Sequence, residues 1–598
     1  MIVEEFKSVC TRRLLGVRCL GTALVIRTKA PTSRRTPRTR LNSLVFPLMV
    51  FLALPPLPQD IGGSLAFQGQ DIIGGAAVIF KAPKRVKDLT GGAAAMMASR
   101  RPQRTSRSSD VARNNPRTPT TTTTTTTTSA TTSERVEALK AQGNTYYDQG
   151  QFAQALEAYQ NALKLMPQDA EAQGAIGDTY LTLNRLEEAA TAYEKTVRLQ
   201  PDNAAAHSNL GYTYDKLGRT SESITALRNA VRLTSDDDVA FNNLGASLYK
   251  AGRYQEALEA FNNAVRLNPN DADALNNLGA VQYALEQYER ARDSFQKAVN
   301  AKATSADAYY NLGNAFYMTG RHREAATAYR KAIELNSNYV EARTNLGSLL
   351  ISLGDLQGAT SELLQSIKLR SGNPVAYNNL GYAYVKIGET LDRTAAVQYL
   401  RQAVDAYKEA LRLKPDYVKA LNNLGAAYNK LGQYQEAADV LARATRAKPD
   451  FAEAHYNLGT ALYNRNQFKE AIAEFQQAVR VKQDYADAYN SLGTALYRDS
   501  QFEPAIAAYK KTLALKPSNA ETNNNLGTVY FRTKRYPEAA AAFKEAVRIK
   551  SDYSEAHFNL ALAYVALNDK KGALEQYNRL KKLDPKLAEE FSQKYMKK

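Results

Sequence analysis

The sequence predicts an all-α protein: one long α-solenoid of helix-turn-helix units, behind a mostly disordered N-terminal extension. Three observations carry that prediction. A glycine recurs every 34 residues, at 143, 177, 211, 245, 279, 313, 347 and 381, then at 425, 459, 493 and 527, with Ala561 once more in its place. Apolar and small residues keep a fixed phase to that glycine, at spacings that draw facing stripes on two helices. Proline returns near the end of the unit, at Pro167, Pro201, Pro269, Pro415, Pro449, Pro517 and Pro585. There it stops a helix, because it lacks an N–H and clashes with the preceding turn.

Counted from Val136, the unit places Leu139, Gly143, Tyr146, Ala155, Tyr159, Ala162 and Pro167 at positions 4, 8, 11, 20, 24, 27 and 32. The fourth copy repeats the set as Phe241, Gly245, Leu248, Ala257, Phe261, Ala264 and Pro269. Thirteen copies cover residues 136–587, the eighth carrying ten extra residues because Gly381 and Gly425 are 44 apart. A helical glycine costs about 1 kcal/mol relative to alanine. Its use at position 8 therefore predicts close approach of two helix backbones, with Ala at positions 20 and 27 clearing the facing side. Tyr or Phe at positions 11 and 24 then fills the space between layers.

The third copy departs with Ser223 and Leu227, the seventh with Leu350, Leu363 and Ser366, which predicts looser packing inside an unbroken register. The insertion near 388–397 falls between two helix cores. Asp392 is placed to cap a second helix lengthened by about 15 Å at 1.5 Å per residue. It reads either as a tolerated insertion or as a protruding epitope.

This pattern resembles the tetratricopeptide repeat, and the resemblance covers about three quarters of the chain. It implies a right-handed superhelix whose concave groove is lined by first-helix positions near 2, 5, 6, 9, 12 and 13. Position 6 reads Asn209, Asn243, Asn277, Asn311, Asn345, Asn379, Asn423 and Asn457, then Ser491, Asn525 and Asn559. A row of amides offers donors and acceptors to an extended backbone of any sequence. It is similar to the asparagine ladder in the repeat domain of the O-linked N-acetylglucosamine transferases, although Asn is also common at this position of the repeat. The catalytic domain of those enzymes is absent, so their activity is not carried over.

Position 12 adds Tyr249, Tyr283, Tyr317, Tyr463 and Tyr497, position 2 is mostly acidic, and position 13 includes Lys216, Lys250, Lys386, Lys430, Arg498 and Arg532. Such a groove suits an extended peptide better than a polyanion. The family's clamp for chaperone tails matches at Lys140 and Asn144 but not at Ala175, Ala205 and Asn209.

The formal net charge of +18 invites a polyanion, but the charges are unevenly placed. Residues 1–133 hold 20 Lys and Arg against 6 Asp and Glu, and residues 134–598 hold 58 against 54. Two cysteines, Cys10 and Cys19, exclude a disulfide-stapled fold and a four-cysteine zinc site. His207, His455 and His557 occupy packing position 4 in separate repeats, and His322 lies in a turn. No phosphate loop, nucleophile elbow or paired-cysteine motif occurs. The expectation is no enzyme, no cofactor and no metal.

Residues 1–66 form a basic leader whose apolar stretch, Leu44 to Leu54, falls short of the ~20 residues a membrane helix needs. It suits a signal-peptide core, with Ser64 and Ala66 setting a mature start near Phe67. A poorly structured extension, or a start assigned too far upstream, is the other reading. Residues 67–133, with threonines from Thr120 to Thr128, read as a disordered tether. Residues 586–598 put Leu587, Phe591 and Tyr595 on one side of a capping helix. The expected protein is exported, or cytoplasmic if the leader is no signal, with no membrane span in the mature chain. The expected function is a non-catalytic scaffold that binds extended segments of partner proteins. The alternatives are a substrate-recognition accessory of a separately encoded glycosyltransferase and, disfavoured by the near-neutral array, a nucleic-acid binder. Partner identity and oligomeric state stay open.

Overall fold

A computed structural model describes residues 131–596, which form 27 α-helices and, among the described residues, no strand. The expected signal segment and nearly all of the expected disordered tether lie outside the described residues. Twenty-six helices pair into thirteen units in the predicted register. A typical unit joins a first helix of 13 residues, Ala204–Lys216, to a second of 14, Thr220–Leu233. The array begins earlier than the sequence suggests. Thr131 and Glu134 form a capping box that starts the first helix at Thr132, within the expected tether.

Local chemistry sets the helix ends. Asp169 accepts from the Ala172 N–H at 2.8 Å and Asn203 from that of Ala206 at 2.9 Å, each capping the next first helix. In later repeats Tyr417, Phe451, Tyr485 and Tyr553 take that place without a capping bond. Their rings instead lie 5.2–5.7 Å from the ammonium groups of Lys414, Lys448, Lys482 and Lys550. First helices close at position 15 on a left-handed residue, such as Gly252 at φ 74° or Lys534 at φ 61°.

The eighth repeat lacks that break. Its first helix runs through Gly388 to 15 residues, Pro374–Gly388, and its second reaches 21, Arg393–Leu413, capped by Asp392. Seven of the ten extra residues thus lengthen the second helix, by about 10 Å rather than 15 Å. The others extend the first helix and the turn.

Packing within a unit centres on position 8. A Cβ placed on Gly143, Gly245 or Gly313 would stand 2.5–2.7 Å from the ring of Tyr159, Phe261 or Tyr329. The expected backbone-to-backbone contact is thereby corrected: the space is needed by the side chain at position 24. Those three rings are fully buried, each stabilising by about 1.5–3 kcal/mol. At Gly211 and Gly347, where that side chain is leucine, second-helix backbone also comes within 3.2 Å of the Cβ position. The divergent serines are satisfied rather than loose. Ser223 Oγ donates to the Gly211 carbonyl at 2.7 Å, and Ser366 Oγ meets Thr344 Oγ1 at 2.7 Å.

Successive first helices contact one another, and successive second helices do not to that extent, so first helices make the inner layer. At the far end the helix Pro585–Phe591 buries Ala588 and Phe591. A π-helical turn follows, so the capping helix is shorter than expected and Tyr595 is 42% exposed. No described helix is long and apolar enough to cross a membrane.

Candidate functional site

The position-6 asparagines stand between helices. Asn277 Nδ2 donates to Asn242 Oδ1 at 3.0 Å, Asn311 to Asn276 at 3.0 Å, and Asn457 to Asn422 at 2.9 Å. Asn423 donates to Asn378 at 3.1 Å across the insertion, and Asn559 to Asn524 at 3.0 Å. Each of these bonds joins position 6 to position 5 of the preceding repeat. Asn209 reaches Asp178 at 3.0 Å, and Asn345 reaches Asn314 at 3.2 Å. Asn243, Asn277, Asn311, Asn345, Asn379, Asn423 and Asn457 are buried; Asn209, Asn525 and Asn559 are half-buried.

The expected row of amides open to a ligand is corrected accordingly. First helices lie close enough for most of these donors to be used in joining repeats. The signal missed in the sequence was the Asn-Asn doublet at positions 5 and 6, as in Asn276-Asn277. Four ladder atoms are buried without a hydrogen-bond partner, the Nδ2 of Asn243 and the Oδ1 of Asn277, Asn311 and Asn457.

The position-12 tyrosines pair with the residue that opens the second helix. Ring centroids lie 5.3 Å apart for Tyr249 and Tyr254, 5.1 Å for Tyr283 and Tyr288, 5.4 Å for Tyr463 and Phe468, and 6.1 Å for Tyr497 and Phe502. Tyr317 packs on His322 at 5.3 Å. Tyr317 and Tyr463 are buried, contrary to expectation, whereas Tyr249, Tyr283 and Tyr497 stay half-buried. Burial pushes the phenols of Tyr249 and Tyr317 up to about 12, so both are neutral groups at ordinary pH.

Charged positions are largely paired inside the array. Glu341 meets Arg370 at 2.8 Å and Asp487 meets Lys516 at 2.8 Å, position 2 to position 31 of one repeat. Lys140, which matched the chaperone clamp, is buried and holds Glu137 at 2.8 Å and Glu171 at 2.6 Å. Burial opposes its charge, but those two carboxylates outweigh that and raise its pKa. His455 and His557 are likewise engaged, with Glu474 at 2.6 Å and Gln576 at 2.7 Å. Among the described residues, no group of three or more His, Cys, Asp and Glu is placed to hold a metal. The inner layer therefore exposes phenols and flanking charges, groups that recognise peptide backbones and side chains.

Family models described as tetratricopeptide repeat match residues 140–238, 236–304, 306–339, 340–373 and 490–588, and one described as TPR repeat matches 400–500. No curated protein matches the chain. Among solved structures, the chain is similar to one in the APC/C hetero-tetramer Cut9–Hcn1, with 15% identity, 77% of this chain and 96% of that chain covered, and a TM-score of 0.35. YrrB, a TPR protein with an unusual peptide-binding site, is 23% identical over 32% of this chain and 95% of its own, with a TM-score of 0.29. MamA is 29% identical over 27% of this chain and 95% of its own, with a TM-score of 0.26. From the 34-residue register, lengthened once in the eighth repeat, the packing at position 8 and the family-model matches along the array, the chain belongs to the tetratricopeptide-repeat family.

Proposed function

We propose that the protein is a non-catalytic scaffold that holds extended segments of other proteins against its inner layer. Tetratricopeptide repeats bind protein partners, and this chain consists of them across residues 136–587. The observation that supports the site is the return of similar groups at one-repeat intervals. Half-exposed Tyr249, Tyr283 and Tyr497 stand beside exposed Lys250 and Arg498, over a layer held in register by the buried ladder amides. An extended backbone presents N–H groups and alternating side chains to such a surface. Export is part of the proposal, supported by the apolar stretch Leu44–Leu54 behind a basic leader.

Photo-crosslinking residues placed in the full chain at Lys250, Tyr283 or Arg498 on first helices, and at Gln160 or Glu259 on second helices, test the site. Capture of the same partner from first-helix positions only is the expected result. Equal capture from both sets, or from second helices alone, refutes it. N-terminal sequencing of the mature protein tests export, with Phe67 as the expected first residue.

A further inference from the structure

We infer that the inner face of the last four repeats is a subsite for a cationic segment, one carrying lysine or arginine side chains; this deepens the scaffold reading and rests on it. Position 2 is acidic in four consecutive repeats there, Glu453, Asp487, Glu521 and Glu555, the longest such run in the array. Compensation fades along it. Asp487 has Lys516 at 2.8 Å and Glu453 has Lys482 at 3.8 Å, while Glu521 and Glu555 form no ion pair among the described residues. At the opposite end Glu137 and Glu171 both close on Lys140. Burial raises the half-buried Glu521 carboxyl, and the like charges of Asp487 and Glu555 raise it further, against the smaller opposing effect of Lys550. Four position-2 carboxylates from successive repeats thus face three position-31 lysines, Lys482, Lys516 and Lys550, of which Lys550 forms no ion pair with Glu521, and Glu555 has Asp584 in that place.

A second observation points into the same place. Tyr485 is 1% exposed and its hydroxyl has no hydrogen-bond partner, although it lies in the field of Glu453 and Asp487. The equivalent Tyr339 donates to its own position-2 acid, Asp307, at 2.8 Å. At Tyr485 that bond is missing, and Glu453 lies 3.8 Å from Lys482 instead. Carboxylates and a phenol oxygen form the acceptor set that an ammonium with three N–H donors, or a guanidinium with five, requires. The carboxylates come from different repeats and do not converge as metal ligands, which favours side chains spaced along a polypeptide over a chelated ion.

The test uses the full chain and three fluorescein-labelled twelve-residue probes, alternating Ser with Lys, Gln or Glu. Because the chain carries +18 overall, nonspecific attraction works against the Lys probe. Anisotropy should give the Lys probe at least tenfold tighter binding than the Gln probe, weakening as salt is raised. The triple variant Asp487→Asn, Glu521→Gln, Glu555→Gln should abolish that preference. The charge-matched control Glu470→Gln, Glu538→Gln, Glu545→Gln on second helices should not. Because Asp487→Asn also gives up the pair with Lys516, the double variant Glu521→Gln, Glu555→Gln, which breaks no ion pair, should weaken the preference too, with a thermal melt at or above that of the wild type. Equal binding of the Lys and Gln probes, a Glu preference, an unaltered triple variant or no binding at all overturns the inference. The scaffold reading fails separately, if crosslinking does not favour first helices.

Discussion

The ring of Tyr329 occupies the space that a Cβ on Gly313 would need, with its Cε1 2.6 Å from that position. The same relationship joins positions 8 and 24 in twelve of the thirteen repeats. In the last, Ala561 stands where the glycine would be, and Tyr577 is only half-buried and stacks on Phe591 at 6.1 Å.

Gly313→Ala should therefore destabilise the array. Alanine gains about 1 kcal/mol of helix propensity, but overpacking against a fully buried ring costs about 1–3 kcal/mol. The urea midpoint and the hydrogen-exchange protection of the sixth repeat should both fall. An unchanged midpoint would mean that the second helix shifts freely to make room.

Two tyrosines at position 24 should respond to loss of the hydroxyl with opposite signs. Tyr329 OH donates to Asn314 Oδ1 at 2.7 Å, so Tyr329→Phe should lose about 0.5–1.5 kcal/mol. Tyr407 faces a repeat whose position 9 is Tyr382, and its buried hydroxyl has no partner. Tyr407→Phe should gain about 1 kcal/mol by removing an unsatisfied group. Thermal melts of the two variants that move in the same direction would refute this account.

Lys534 and Glu286 adopt the left-handed conformation, at φ 61° and 60°, where most repeats use glycine or asparagine. That conformation costs an L-residue roughly 1–2 kcal/mol, partly offset in glycine by unfolded-state entropy. Lys534→Gly should raise the melting midpoint by the equivalent of about 0.5–1 kcal/mol. A lower midpoint would show that the lysine makes a compensating contact.

The hydrogen bond to Glu474 raises the pKa of His455 above the ordinary histidine value, against the opposing effect of burial. The folded protein thus holds this proton more tightly than the unfolded chain does. Its contribution to stability is complete below about pH 6.5, the unfolded value, and is lost as pH rises through the folded pKa. Urea midpoints measured from pH 5.5 to 8 should fall across that window in the wild type, and less in His455→Gln. Parallel profiles would remove His455 as the cause.

Much of this architecture was legible in the residues alone. Glycine, alanine and aromatic residues at fixed phase mark helices that pack within one unit, and contacts like that of Gly313 and Tyr329 recur in twelve repeats, 16 residues apart in all but the eighth. The proline and position-15 signals likewise act on adjacent backbone. Position 6 was different. Whether Asn311 faces a ligand or a neighbour depends on Asn276, 35 residues earlier, and so on how far one repeat rotates against the next. No single repeat contains that rotation. It is set by helices packing across units, and it turned the donors inward, buried Tyr317 and Tyr463, and left Glu521 between Asp487 and Glu555 with Lys550 as the nearby cation. The sequence by itself determined the unit, its number and its internal core, because those rest on short-range spacing and side-chain volume. Only the tertiary structure decided which polar groups remain for a partner, because burial and hydrogen bonding between repeats select among side chains that look equivalent in sequence.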